Sequence, residues 1–408
     1  MKLIHTSDWH LGQTFHGFSR AAEHQRFLDW LIDCIAERAA DALLIAGDIF
    51  DTSNPSADAQ AQFYRFLSAL KQRCPQLDVV IIAGNHDSPG RLEAPNPLLD
   101  AMGIQIVGQL NADADESARV LIPLRNSQGR VAAWCLAIPF LRPADVRSIS
   151  GSADPYLSGV VETYQRYISA AEQRREPGQA LIAMGHCHLQ GGAPSPDSER
   201  RLLIGGAEAL DASMFPPALS YVALGHLHLA QEVDQQSRLR YCGSPLALSF
   251  AELSYPHQVL EVELAGESLL SVNPISVPRA VPLLRVPAQA QPWELVLAEL
   301  QALKVQPPQS EDLRAFLEVQ VLQDRPLPQL RSHVEAAVAQ LPLRLAKISA
   351  RREMPPASDA AGAPQAEMPQ LDPEFLVDAY YQELYNTPMP DDLKQALREL
   401  LLAPTEPR

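Results

Sequence analysis

A chain of 408 residues is longer than one hydrophobic core usually serves, so two or three folding units are expected. With 46% hydrophobic and 20% charged residues it reads as a soluble globular protein, and no apolar run reaches the roughly 18 residues of a membrane span. The formal net charge of −16 argues against general affinity for nucleic acid, and five cysteines without CxxC spacing argue against a disulfide scaffold or a thiolate zinc site.

The first element, KLIHTSDWH, is a short apolar run that ends in Asp8 and His10, with no apolar core of a secretory leader around it. A cytoplasmic location is therefore expected, in keeping with reduced cysteines. RAAEHQRFLDWLIDCIAERAA follows, with Phe27, Leu28, Leu31, Ile32 and Ile35 at helical spacing and His24 on the polar side. DALLIAGDIFD is a second apolar run, ending in Gly47 and Asp48, and FYRFLSALKQR repeats the helical pattern. VVIIAGNHDSPG runs into Gly84, Asn85, His86 and Asp87; ALIAMGHCH into Gly185 and His186; YVALGHLH into Gly225, His226 and His228.

Apolar runs without alternation suit strands buried on both faces. Alternation of strand and helix places functional side chains beyond the carboxyl ends of the strands, where glycine permits the turn. Five such ends in one sheet are expected to converge. In an extended GHLH, His226 and His228 face the same way while Leu227 packs behind.

After a boundary near Pro278, residues 279–352 read as strand, helix, strand, helix, strand, a small α+β unit whose LEVQV alternates cleanly. Its last strand carries Arg344, Lys347, Arg351 and Arg352, a candidate contact for a DNA backbone. Residues 353–371, rich in Pro and Ala, read as a linker. Residues 372–408 hold two short amphipathic helices, lined by Leu376, Tyr380 and Leu384 and by Leu393, Leu397 and Leu400. Helices this short do not bury such stripes alone, so docking on a partner is expected.

The residues at the strand ends are Asp8, His10, Asp48, Asn85, His86, His186, His226 and His228. Carboxylates, an amide and imidazoles suit hard or borderline divalent ions such as Mn²⁺, with Fe²⁺ and Zn²⁺ also compatible. Eight groups exceed the three protein ligands of a mononuclear catalytic site, so two ions sharing a carboxylate fit better. Two ions about 3.5–4 Å apart acidify a shared water and bind the oxygens of a phosphoryl centre. Alone, GNHD reads equally as an Asx-turn, GDIFD as a helix cap and GHLH as solvated histidines. Their ordered conjunction points to phosphate-ester hydrolysis. Asp51 and Asp87 are expected to orient imidazoles, and His188 reads as a loop residue. His5, His257 and His333 have no local context.

SDWHLGQTF, GDIFDTSNPS, AGNHDSPGRL, YVALGHLHLAQ and above all YCGSPLALSFAE (Tyr241–Glu252) resemble the SbcD family, nuclease subunits of SbcC–SbcD complexes within the calcineurin-like metallophosphoesterases. The resemblance implies an α/β/β/α sandwich, a small α+β capping domain and C-terminal helices that bind an SbcC-type, SMC-like ATPase. It implies a two-metal DNA phosphodiesterase, usually Mn²⁺-dependent (Mg²⁺, Fe²⁺ or Zn²⁺ being alternatives), active as a 3′–5′ double-strand exonuclease and a single-strand or hairpin endonuclease in repair and recombination. Carried onto this chain, one ion falls to Asp8, His10 and His228, and the other to Asn85, His186 and His226, with Asp48 bridging. His86 then stabilises charge on the departing 3′ oxygen. A homodimer within a heterotetramer is implied as well. Asp51 stands where purple acid phosphatases carry a tyrosine ligand, which disfavours that branch. The alternative is a phosphoesterase of the same fold acting on a small molecule or a phosphoprotein.

Overall fold

Strand β1 (Lys2–Thr6) opens a first sheet, and a hairpin of β2 (Thr14–Phe15) and β3 (Phe18–Ser19) leads into helix α1 (Ala21–Arg38) and β4 (Ala42–Ala46). The computed structural model describes residues 1–152, 154–195, 209–323, 329–352, 389–390 and 393–394. Helix α2 (Ala57–Arg73), whose first turn is capped by Ser56 Oγ on the Ala59 amide at 3.2 Å, crosses to β5 (Asp78–Ile82). The short helices α3 (Pro89–Glu93) and α4 (Asn96–Leu99) precede β6 (Ile104–Val107). A second sheet begins with α5 (Ser117–Val120), β7 (Leu121–Arg125) and β8 (Val131–Ala137). It continues through α6 (Pro155–Arg174) to β9 (Ala180–His186), β10 (Tyr221–Gly225), β11 (Gln231–Val233) and β12 (Gln236–Tyr241). The chain then returns to the first sheet as β13 (Gln258–Ala265) and β14 (Ser268–Ser276).

The sheet orders are β14-β13-β1-β4-β5-β6 and β11-β12-β10-β9-β8-β7. Within them β1, β4, β5 and β6 run parallel, as do β8, β9, β10 and β12. Alternate residues of the apolar runs serve two cores. Leu3, Leu44, Ala46, Val80 and Ile82 face the second sheet and pack with Met184, Val222 and Leu224. Ile4, Leu43, Ile45, Val79 and Ile81 face outward onto Phe27, Leu31, Phe63 and Phe66 of α1 and α2. Helix α6 covers the far face of the second sheet with Tyr164, Tyr167 and Ile168. Burial on both faces is why the runs show no alternation, and each such side chain contributes roughly 1.5–3 kcal/mol. The result is the α/β/β/α sandwich. The expectation of one sheet is corrected: β1, β4 and β5 belong to one and β9 and β10 to the other, because hydrophobic period does not reveal which sheet a strand joins.

His5 extends from β1 between the sheets, fully buried, with Nδ1 2.9 Å from the Tyr221 hydroxyl. Burial pulls its pKa down to about 3. An unfolded chain binds a proton there near pH ~6.5 and the folded chain refuses it, so stability falls as pH drops from ~6.5 toward 3. At pH 5 the loss is about 2 kcal/mol. Denaturant titrations of His5→Gln should show a shallower decline between these pH values than wild type; an unchanged slope would assign the lost stability to other groups. His24 is also buried rather than solvated, beside an Arg20–Glu23 ion pair of 2.7 Å that is itself buried.

Strands β15 (Leu283–Gln291), β16 (Ala315–Gln323) and β17 (Leu343–Arg352) form a parallel three-stranded sheet. Helices α7 (Trp293–Ala302) and α8 (Leu330–Val338) cover one face, where Leu317, Val319 and Val321 meet Val296, Leu300, Val334 and Val338. The anticipated basic strip is largely spent internally. Arg344 lies 3.8 Å over the Phe316 ring and donates to the Arg314 carbonyl at 2.7 and 3.1 Å, while Lys347 lies 3.7 Å from buried Glu318. Glu353–Arg408 forms a second unit of the chain; the linker and all of the two C-terminal helices but Pro390, Leu393 and Lys394 lie outside the described residues. Among the described residues no helix is long and apolar enough to cross a membrane.

Candidate metal centre

The loops after β1 and β4 interlock. Asp8 N–H donates to the Gly47 carbonyl at 3.0 Å, His10 N–H to Asp48 at 3.1 Å and Leu11 N–H to Ile49 at 2.9 Å. Asp8, His10, Asp48 and His226 take φ of 55°, 49°, 49° and 102°, a region non-glycine residues seldom adopt. Such positions cost on the order of 1–3 kcal/mol each and cluster where a site over-determines them. Gly47 turns at φ 91°, and a Cβ there would lie 2.3 Å from His186 Nδ1. Gly84 is different: no positive φ requires it, but a Cβ would sit 2.1 Å from Asp48 Oδ1. The glycine before one polar residue thus makes room for a polar residue of another motif, which the turn reading alone does not foresee.

All eight anticipated residues meet at one mouth. Asp48 lies at the centre: Oδ1 accepts the His86 amide at 2.8 Å, and Oδ2 is 3.4 Å from His186 Nε2 and 3.7 Å from His10 Nε2. Asn85 Oδ1 lies 3.0 Å from both His186 Nε2 and His226 Nδ1. Asp8 accepts the His226 amide at 3.1 and 3.2 Å and the hydroxyl of Ser7. Donor atoms of Asp8, His10 and His228 fall within 4.8 Å of one another, as do those of Asp8, Asp48 and His186 and those of His10, Asp48 and His86.

Surrounding groups fix the imidazoles. His186 Nδ1 lies 2.9 Å from the Ala46 carbonyl, which makes Nδ1 a donor and turns Nε2 toward Asn85 and Asp48, where a metal would take the place of its proton. His86 Nδ1 lies 2.7 Å from the Asp51 carbonyl, and Asp51 Oδ1 is 3.3 Å from His10 Nδ1. Asp87 instead orients backbone, accepting the amides of Gly84, Ile49 and Phe50 at 2.9, 3.1 and 3.0 Å, so it ties the GDIF and GNHD loops together. That corrects the expectation that it steadies an imidazole. His188 lies outside the convergent set, with Nε2 3.4 Å from the Gly192 carbonyl.

Three residues went unforeseen. Glu252, fully buried in the SFAE segment, lies 2.9 Å from His228 Nδ1. Arg142 donates from Nη2 to the Asp87 carbonyl at 3.0 Å, and Phe140 packs edge-on to His186 with ring centroids 6.3 Å apart. Their segment, CLAIPFLRP, is another apolar run with a polar end, so the recurrent pattern could have found it; nothing in the spacing marks Glu252.

The calcineurin-like phosphoesterase family matches residues 1–230, and the type 5 capsule protein repressor C-terminal domain matches residues 279–385. The chain is 40% identical to the SbcD subunit of the SbcCD nuclease of Rhodobacter capsulatus over 388 residues, 93% of this chain and 94% of that one. The corresponding Escherichia coli K12 protein is 34% identical over 367 residues, 86% of each chain, and that of Bacillus subtilis 38% over 270 residues, 64% and 66%. The chain belongs to the SbcD family.

SbcD-family proteins are metallophosphoesterases, and the pocket of this member suits divalent cations. Neither ring nitrogen of buried His10 has a hydrogen bond among the described residues; Nδ1 faces Asp51 Oδ1 at 3.3 Å, and a metal would satisfy Nε2. Burial raises the Asp8 pKa and the nearby imidazoles offset this in part. Burial presses Asp48 the same way, yet His186, His10 and His86 hold it below the ordinary carboxylate range. Burial disfavours charge on His186, but the Asp48 and Asp8 carboxylates carry its pKa up to about 9. His226 is held well below its ordinary value by burial and by His186. Asp8 and Asp48 are thus two buried carboxylates side by side, a pairing whose charge divalent ions would balance.

Proposed function

We propose that this protein is a two-metal DNA phosphodiesterase that works with an SbcC-type ATPase. The observation that carries the reading is Asp48, whose Oδ2 lies between His10 Nε2 at 3.7 Å and His186 Nε2 at 3.4 Å. Asp8, His10 and His228 would hold one ion and Asn85, His186 and His226 the other, with Asp48 placed to serve both. When bound, such ions acidify a water and withdraw charge from the phosphoryl oxygens. Ala46 and Glu252 set the Nδ1 protons of His186 and His228, and the 2.8 Å hydrogen bond from the His86 amide to the Asp48 carboxylate ties the metal-binding loop to the catalytic one. His86, its Nδ1 engaged by the Asp51 carbonyl, uses Nε2 to stabilise charge on the departing 3′ oxygen.

The reading extends to 3′–5′ exonuclease action on double strands and endonuclease action on hairpins and single strands, with Mn²⁺ preferred. The 279–352 unit serves as the capping domain that positions DNA, 353–371 as linker, and 372–408 docks the ATPase within a cytoplasmic heterotetramer built on a homodimer. A partner also answers the charge of −16, since two ions and a DNA-binding ATPase supply the field this chain lacks. The curated relatives are named as subunits of SbcCD nucleases, which supports the partnership.

Incubating the Mn²⁺-loaded protein with blunt and hairpin DNA and with bis-p-nitrophenyl phosphate, with and without the ATPase, tests this. DNA cleavage enhanced by the ATPase is expected. Cleavage of the small ester alone would favour the small-molecule or phosphoprotein alternative.

A further inference from the structure

The short turn at Phe250–Glu252 faces two ways. Toward the metal centre, Glu252 Oε1 lies 2.9 Å from His228 Nδ1 and accepts Ser195 Oγ–H at 3.2 Å, while Oε2 accepts the Leu248 amide at 2.7 Å. Among the described residues three donors thus converge on one buried carboxylate. Holding the proton on His228 Nδ1 leaves the lone pair of Nε2 for a metal. Away from the centre, the Phe250 carbonyl accepts Arg285 Nη2 at 2.8 Å, and Arg285 Nε lies 2.6 Å from Glu318 Oε2. Arg285 and Glu318 belong to β15 and β16 of the three-stranded sheet. The Phe250 ring meets Phe15 at 5.1 Å, and Phe15 meets Phe316 of β16 at 4.7 Å. Phe15 follows His10 by five residues, so the aromatic contact reaches the chain on both sides of one candidate ion site; among the described residues neither ring has a ring contact with His186 or His226.

We infer that Glu252 is the positioning residue for His228, and that Arg285 holds the turn carrying it, so that one ion is coupled to the three-stranded sheet and the other is not. This rests on the two-metal reading above. By linkage, whatever shifts the sheet away from Phe250, such as a DNA phosphate backbone drawing on Arg285, weakens the Asp8–His10–His228 ion, and that ion in turn stabilises the seated sheet by the same factor.

Glu252→Gln preserves shape but offers one acceptor oxygen and one NH₂ group to the three donors. Either a donor is left facing the NH₂ group or His228 turns its proton to Nε2, where it blocks a metal. Orienting partners of this kind are worth roughly 10- to 100-fold in metal affinity. Metal-free full-length protein is titrated with Mn²⁺ in the absence of DNA, with free Mn²⁺ followed by electron paramagnetic resonance. Wild type should bind two ions. In Glu252→Gln one affinity should fall about 10- to 100-fold and the other stay unchanged. Arg285→Met, which keeps the aliphatic stem and removes the bonds to Phe250 and Glu318, should weaken the same ion, and Arg285→Lys should recover part of the loss. Unfolding temperatures in EDTA report whether each variant folds; should Glu252→Gln fail to, the Arg285 pair carries the test. Unchanged affinities in a wild-type background of two ions overturn the inference and leave the two-metal reading standing. So does equal weakening of both ions, which would mean general loosening. Fewer than two ions in wild type overturns the reading beneath it.

Discussion

Asp48→Asn is expected to lose phosphodiester cleavage by about a thousandfold or more and to bind fewer than two divalent ions. The substitution is nearly isosteric, and the asparagine oxygen can still accept the His86 amide now held by Oδ1 at 2.8 Å. The NH₂ group then falls where Oδ2 lies, 3.4 Å from His186 Nε2 and 3.7 Å from His10 Nε2. A neutral donor replaces the anion at the one position both proposed ions share. Charge stabilisation by a metal pair is worth several kcal/mol, and ~4 kcal/mol is about a thousandfold in rate. His186 should lose its attraction for a proton too, since Asp48 leads the groups that raise its pKa against burial. Metal counting on dialysed protein beside a cleavage assay checks this. Two tightly held ions with a wild-type rate would remove Asp48 from the centre.

His86→Gln separates chemistry from metal binding. The loop contact with Asp48 is made by the His86 backbone amide, which glutamine retains, while the imidazole engages the Asp51 carbonyl at 2.7 Å. Removing the ring should lower kcat on DNA by about 10²- to 10⁴-fold, the range of a positioned acid or base, with both ions retained and KM little changed. Because His10, Asp48 and His86 also bring donor atoms within 4.8 Å, metal counting is essential here. Loss of one ion would make His86 a ligand, and a wild-type rate would leave it without a role.

Much of this architecture is legible in the apolar runs, since residues such as Leu43 and Leu44 have to find partners on opposite faces, and a strand between two layers is the arrangement that provides them. The polar ends were legible because Asp8, Asp48, Asn85, His86, His186, His226 and His228 each follow such a run at short distance. Sheet membership was not: β4 and β9 read alike, and only their hydrogen-bond partners distinguish them. Nor was the work of Gly84, because a close approach to Asp48 is a property of two segments that the order of residues in one does not contain. His24 and Arg344 show the opposite error. Polar type suggests solvent, yet the first is buried and the second flattens its guanidinium on Phe316. Glu252 lies 24 residues beyond His228, and a carboxylate that orients an imidazole across such a distance has no periodic signature.

Diffraction from crystals grown with Mn²⁺ and recorded at the manganese absorption edge tests the two-ion centre most directly. Two anomalous peaks about 3.5–4 Å apart are predicted, with Asp48 reaching both, His10 and His228 beside one, and Asn85 and His186 beside the other. A single peak, or peaks beyond reach of the Asp48 carboxylate, would contradict it.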